Sequence, residues 1–260
     1  MSAGGWLATA MSAAVPVLVL VAIPAAAAEP EPLVLHYEAF AAGLPIVALD
    51  FRLDESGSAY AVDGQIRTVG LLRLFYRVEL RAQSQGAMAG EAMRPHVHEQ
   101  VLTTQGKDRV ARLDYPGDGT VTVHLVPAED SGRPQPTPQQ TVDTLDPLST
   151  ILAIGHALAG AERCAGRFRV FDGRRRYDIV LSEDDARGGP PKDGTALRCR
   201  AQAVKIAGFS FDQDYQAHVN NGHVWLAPPR PGAPALPVRI DFDGSWGLIE
   251  VRMTKVGTAN

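Results

Sequence analysis

From Leu33 onward the chain alternates apolar and polar residues with a period of two. Leu33, Leu35, Tyr37 and Ala39 stand against Val34, His36 and Glu38, and after Gly43-Leu44-Pro45 the row Val47, Leu49, Phe51, Leu53 alternates with Ala48, Asp50, Arg52, Asp54. Successive side chains of a strand point to opposite faces, so this pattern predicts a β-hairpin with one wet face. Ser58 to Val62, after the Glu55-Ser56-Gly57 turn, extends it to a three-stranded meander. Gly70 to Arg81 fits two periods. As a strand it lines up Leu72, Leu74, Tyr76, Val78 and Leu80; as a helix it turns Leu71, Leu74, Phe75 and Val78 inward and Arg73, Arg77 and Arg81 outward. Strand and helix both stay open here, with a helical first turn running into a strand as the reading that uses both.

Further strands are expected near Met93 to Thr103, Asp108 to Asp114 and Thr120 to Pro127. The stretch 127–140 holds four Pro among Ser, Gly, Gln and Thr and reads as an extended loop. Asp146-Pro147 then caps and opens the clearest helix, Pro147 to Gly160, whose Leu148, Ile151, Leu152, Ile154 and Leu158 share a face. Short strands follow at Arg167 to Asp172, Arg175 to Ser182, Thr195 to Ala203, Gly208 to Ala217, His223 to Ala227, Val238 to Phe242 and Gly247 to Lys255. The fold class predicted is mainly β (β-rich α+β): a large curved antiparallel sheet or partly closed barrel, with one or two helices packed on its concave side.

The N-terminus departs from this pattern. Residues 1–28 contain no Lys, Arg, Asp or Glu, and Ala13 to Ile23 form an apolar run of secretory length, ended by Pro24. Ala26 and Ala28 stand at the -3 and -1 positions, which predicts a signal peptide over 1–28 cleaved between Ala28 and Glu29. The uncharged stretch from Gly5 to Ala28 is also long enough for a retained anchor. Beyond Glu29 no apolar run approaches the roughly 20 residues of a spanning helix. The expected organisation is therefore one β-rich domain over 29–260, soluble in the periplasm, interrupted by the Pro-rich loop 127–140.

Composition narrows the partners. A chain of 260 residues with 45% apolar and 21% charged residues is of globular type, and its net charge of -4 lacks the clustered cationic excess that phosphate neutralisation demands. Nucleic acid is excluded as the expected partner. The two cysteines, Cys164 and Cys199, form an even count in an exported chain, which favours a disulfide and places their segments side by side as neighbouring strands.

Candidate chemistry is sparse. His96 and His98 alternate on a strand and could share a face, but no third metal ligand accompanies them, so an exposed strand is the reading taken. Asp241-Phe242-Asp243-Gly244 opens like a calcium loop but has Trp246 where the sharp turn needs Gly, which makes it a hairpin turn. Arg174-Arg175-Arg176 reads as a solvated strand end facing Asp172, Asp178 or Glu183, with anion contact as its functional counterpart. Ser149 has no nucleophile elbow and reads as a first-turn hydroxyl. There is no phosphate-binding loop and no dinucleotide fingerprint. No catalytic residue, cofactor site or metal site is assigned.

Tyr37 before Gly43-Leu44-Pro45, then Asp146-Pro147-Leu148-Ser149, Phe171-Asp172-Gly173-Arg174 and Gly208-Phe209, in that order and spacing, resemble the landmarks of domain-of-unknown-function family 3108 of proteobacterial envelope proteins. The resemblance covers nearly all of the chain after residue 28. It implies an exported protein without an assigned reaction and a fold similar to the periplasmic lipoprotein carriers, a curved sheet closed by helices around an apolar hollow. The expectation is a non-enzymatic protein that binds a lipid acyl chain or an extended peptide in that hollow. An envelope interaction module using its sheet edges is the alternative. A hydrolase rests only on scattered His36, His96, His98, His124, His218 and His223.

Overall fold

The computed structural model describes residues 31–90, 92–128, 134–184, 196–209, 221–244 and 247–258. The signal segment with its Ala28-Glu29 junction lies outside them. The first half is a meander of β1 (Leu33–Ala41), β2 (Leu44–Ser56), β3 (Ala59–Thr68), β4 (Val78–Ala89), β5 (Ala92–Thr104), β6 (Lys107–Asp114) and β7 (Thr122–Val126), with the single turn α1 (Leu72–Phe75) between β3 and β4. Two helices follow, α2 (Pro138–Thr141) and α3 (Pro147–Ala157). A second meander is built of β8 (Gly166–Phe171), β9 (Arg176–Glu183), β10 (Leu197–Ala207), β11 (Asn221–Ala227), β12 (Leu236–Gly244) and β13 (Gly247–Thr258).

All 13 strands belong to one antiparallel sheet in the order β7-β6-β5-β4-β3-β2-β1-β13-β12-β11-β10-β9-β8. The two meanders are joined by the pairing of the first strand with the last, from Leu33 opposite Thr258 to Ala41 opposite Ile249. The sheet is mostly β and not closed, as the alternation predicted. β1 sits in its middle, and every second residue of it, from Leu33 to Ala41, is buried. The same inward row continues through Leu53, Tyr60, Val62 and Met93.

A flat sheet of this width would leave its apolar face wet. Instead α3 touches β3, β4 and β5 on one wing and β8 and β12 on the other, so the sheet curls around the helix. Leu148, Leu152 and Ala153 of α3 join the core built on β1 to β3, and Leu158 continues into a second core with Cys164, Leu181, Cys199, Val224 and Leu226. Each such Leu removed from water contributes about 1.5–3 kcal/mol. Gly155 permits the close approach of the 234–235 connection, since a Cβ there would stand 3.0 Å from Pro234 Cβ and 3.1 Å from Ala235 O.

The open seam between the edge strands is bridged by the segment that leads into α3. Leu145 N donates to Arg169 O and Phe171 N donates to Leu145 O, which covers the β8 edge (2.8 and 2.9 Å). Asp143 N reaches Gly119 O at 2.9 Å on the other side. Ala111 and Leu113 of β6 pack against Phe171 of β8.

Three local expectations are refined. The 70–81 region is a helical turn running into a strand, but α1 buries none of its residues, so the apolar side assigned inward for a helix faces outward. β10 extends to Ala207, and most of the strand expected at Gly208 to Ala217 lies outside the described residues. Cys164 and Cys199 are joined at S–S 2.02 Å, yet they are not on neighbouring strands. Cys164 precedes β8, Cys199 lies in β10, and β9 runs between those two strands.

Candidate functional site

The inner surface of the curl is apolar but incompletely filled. β2 and β3 turn Leu49, Phe51 and Ile66 inward, β12 and β13 supply Ile240 and Val251, and α3 contributes Leu148, Ile151 and Leu152. Together with Leu35, Tyr37, Leu53, Val62, Leu236 and Pro237 these side chains enclose a cavity of about 220 Å³. Leu49, Phe51, Ile66, Ile240 and Val251 are only partly buried although they lie in mid-strand on the inward face. Close-packed interiors leave few voids larger than a water molecule, so a hollow of this size is space that the protein's own side chains do not fill.

The wall has little polarity. Tyr37 meets Phe51 edge to face with ring centroids 5.8 Å apart, and burial pushes its phenol pKa well up, so the hydroxyl stays neutral. Gly64 of β3 lets the Phe51 ring lie against the sheet, because a Cβ there would stand 2.8 Å from Phe51 Cε1. A trough of about 520 Å³ on the outer face of β1 to β5 has the opposite character. Most of the charges on it and beside it are paired: Asp50 with His36 and Arg67, Arg81 with Glu79, which Gln65 also holds, and Glu99 with Gln83 and Arg112.

One end of the hollow is fixed by a buried polar knot. Asp146, the N-cap of α3, accepts from the backbone N–H groups of Leu148 and Ser149, both at 3.0 Å, from Ser84 Oγ at 2.6 Å and from Ser149 Oγ. His98 Nδ1 stands 2.7 Å from Ser84 Oγ and 3.2 Å from Asp146 Oδ1. Because Ser84 donates to Asp146, His98 Nδ1–H is the donor to Ser84. By the same logic Tyr60 donates to Ser149 Oγ, 2.7 Å away. His98 and Asp146 are fully buried. Burial opposes the charge on Asp146, but hydrogen bonds and attraction from His98, with those from Ser149 and Ser84, outweigh it and hold the carboxyl below its ordinary range. Burial, with a smaller contribution from Asp146, drives the Tyr60 phenol upward.

Ser, His and Asp in contact invite comparison with a nucleophilic relay. Such a relay places the hydroxyl on one imidazole nitrogen and the carboxylate on the other. Here Ser84 and Asp146 both crowd His98 Nδ1, while Nε2 has no hydrogen-bond partner among the described residues. The knot anchors the start of α3 to β3, β4 and β5, and His156 Nε2 against Glu55 Oε1, at 2.6 Å, ties the far end of the helix to β2.

The remaining sequence candidates separate. His96 and His98 do not share a face: a bulge between Gln85 and Gly86 sets Gly86 opposite Pro95 and Gln85 opposite Val97, so His96 is the extra residue. His96 is exposed, and the exposed reading of the pair is overturned for His98. Ser149 is the first-turn hydroxyl expected. Arg176 pairs with Asp178 at 2.5 Å as foreseen, but inside the protein, at 4% exposure, and not as a solvated strand end. Asp241 is held by Arg239 in two hydrogen bonds, and β12 turns back into β13 with Gly244 opposite Gly247, as a hairpin. Among the described residues no group of three or more His, Cys, Asp or Glu could hold a metal ion. Sequence reasoning missed Ser84 and Tyr60, whose buried hydroxyls gave no signal beyond a polar residue on an inward row.

These features define a class: a curled, open β-barrel-like protein with a helix inserted in one end and an apolar hollow in its middle. The family described as "Protein of unknown function (DUF3108)" matches residues 35–254, and the chain belongs to it. Among solved structures the fold is similar to the "Beta-barrel-like Protein of Domain of Unknown Function DUF1849" from Brucella abortus, with a TM-score of 0.54 and 12% identity over 89% of this chain and 99% of that one. No curated protein matches the chain. No helix among the described residues is long and apolar enough to cross a membrane.

Proposed function

We propose that this is an exported periplasmic protein, cleaved between Ala28 and Glu29, that holds a lipid acyl chain in the hollow and catalyses no reaction. The carrying observation is the cavity of about 220 Å³ with its wholly hydrocarbon and aromatic wall. An alkyl chain gains free energy from such a wall without needing polar partners. The uncharged segment 1–28 and the disulfide support export, because disulfides persist in oxidising compartments.

Native mass spectrometry of protein purified gently from its own periplasm tests this reading. Expected is the mass of residues 29–260 less two hydrogens, plus adducts released as lipid. Replacing Leu49, which lines the hollow, by Trp fills it and should abolish uptake of a fluorescent fatty acid while the circular dichroism spectrum stays unchanged. A bare monomer that takes up no fatty acid would refute the proposal. A second reading follows from β7, which ends the sheet and leaves one edge open to strand addition by an envelope protein. It predicts copurifying protein in place of lipid.

A further inference from the structure

One end of the curl carries apolar side chains that the fold does not cover. Leu71, Leu74 and Phe75 are 68%, 71% and 81% exposed, and Tyr76 stands beside them. Neighbouring turns extend the patch. Val69 N donates to Ile46 O, and Gly70 lies against Pro45 O, which brings the tip beside exposed Leu44. Ala41 pairs with both Leu44 and Ile249, so exposed Leu248 comes to the same rim. This is the end opposite the β2 to β3 turn, where Glu55 and His156 secure α3.

The charges on the tip itself are all basic. The stretch from Val69 to Val78 includes Arg73 and Arg77 and no acid. The β5 to β6 turn adjoins it, with Gln105 N donating to Arg77 O and Gln105 Nε2 to Phe75 O, and it brings Lys107 and Arg109. Among the described residues the acids at this rim are Asp108, hydrogen-bonded by Thr103, Asp243 opposite Leu248, and Glu79 opposite Thr103, which Arg81 and Gln65 hold. A cationic tip on a chain of net charge -4 runs against the overall balance. Exposed apolar patches mark interaction surfaces. Leu and Phe at the centre, Tyr at the side and Arg around them match the layers of a bilayer interface with anionic headgroups. A second copy fits poorly, since a symmetric contact would set Arg73 and Arg77 against themselves.

We propose that this rim is a membrane-contacting surface in which the α1 tip inserts among the headgroups of an anionic bilayer. The inference stands on the exposed tip and its charges and does not require the hollow to hold a ligand. To test it, Phe75→Cys is labelled with an environment-sensitive nitrobenzoxadiazole dye, the native thiols being held in the disulfide, with Ser58→Cys at the opposite end as control. The mature protein, residues 29–260, is mixed with vesicles of phosphatidylcholine containing phosphatidylglycerol, or of phosphatidylcholine alone. The label at 75 should brighten and shift to the blue with the anionic vesicles, several-fold less with neutral vesicles or in high salt, while the label at 58 stays unchanged. In the Phe75→Cys background, Leu74→Ser should weaken partitioning by about tenfold. A silent label at 75, equal responses at both positions, or a change that follows protein concentration without vesicles would overturn the proposal. Fatty-acid uptake in solution reads the hollow separately, so either proposal can fail alone.

Discussion

Replacing Asp146 by Ala removes the acceptor on which the polar knot converges. The carboxylate receives two backbone N–H groups, the hydroxyls of Ser84 and Ser149, and the approach of His98. Loss of the N-cap alone costs about 1 kcal/mol. Each buried donor left unsatisfied adds about 1–3 kcal/mol, and breaking a buried charged pair costs about 3–5 kcal/mol in total. The expected loss is therefore about 4 kcal/mol, which for a domain of this size lowers the melting midpoint by on the order of 10 °C. Asp146→Asn keeps a capping oxygen and should fall between the two. The pH dependence isolates the charge. The folded carboxyl titrates below its unfolded value of about 3.9, so its contribution is fully present above that pH and is lost as pH falls through the folded value. Urea unfolding followed by circular dichroism should show the full gap between wild type and Asp146→Asn at pH 7, narrowing once pH drops under about 4. An Ala variant within about 1 kcal/mol of wild type, or a gap that stays constant down to pH 3, would refute the reasoning.

Three further outcomes are expected. Replacing Cys164 and Cys199 together by Ser should lower stability by about 2–5 kcal/mol, and peptide mapping without reductant should recover a single linked pair. Gly86→Ala should destabilise by more than about 2 kcal/mol, because the new Cβ would stand 2.3 Å from Arg94 O on the neighbouring strand, and a normal melting midpoint would show that β5 can shift away. Trp225 is buried on the outer face of β11 between the guanidinium groups of Arg198 and Arg239, 5.1 and 4.9 Å from its ring centroid. Trp225→Ala should cost about 3–5 kcal/mol in urea unfolding, with a loss under about 1 kcal/mol arguing that the two arginines cover the gap.

The sheet was legible because strand alternation is local. Leu33 to Ala39 and Val47 to Leu53 announce both the strands and the face they bury, and Asp146-Pro147 announces the start of α3. The knot was not legible, because it depends on which strand faces the helix. Nothing near His98 in the chain indicates Ser84 or Asp146, 14 and 48 residues away, and the bulge at Gly86 reverses the parity on which the pairing of His96 with His98 relied. Which way the apolar side of α1 faces is hidden in the sequence for a related reason. Apolar spacing marks a face that avoids water, but it does not say whether protein or another phase covers it.

The join between β1 and β13 sets the order in which this protein can be completed. Each meander pairs strands that are neighbours in the chain, whereas the seam in mid-sheet brings residues near 35 against residues near 255. Until the last strand arrives, β1 presents an unpaired edge and the core row of Leu33, Leu35 and Tyr37 has cover on one flank only. Long-range closures of this kind form slowly, since the entropy of the intervening chain must be lost before the contacts form. The sheet therefore behaves as a late-closing clasp, fastened in its middle by the strand made last of the thirteen.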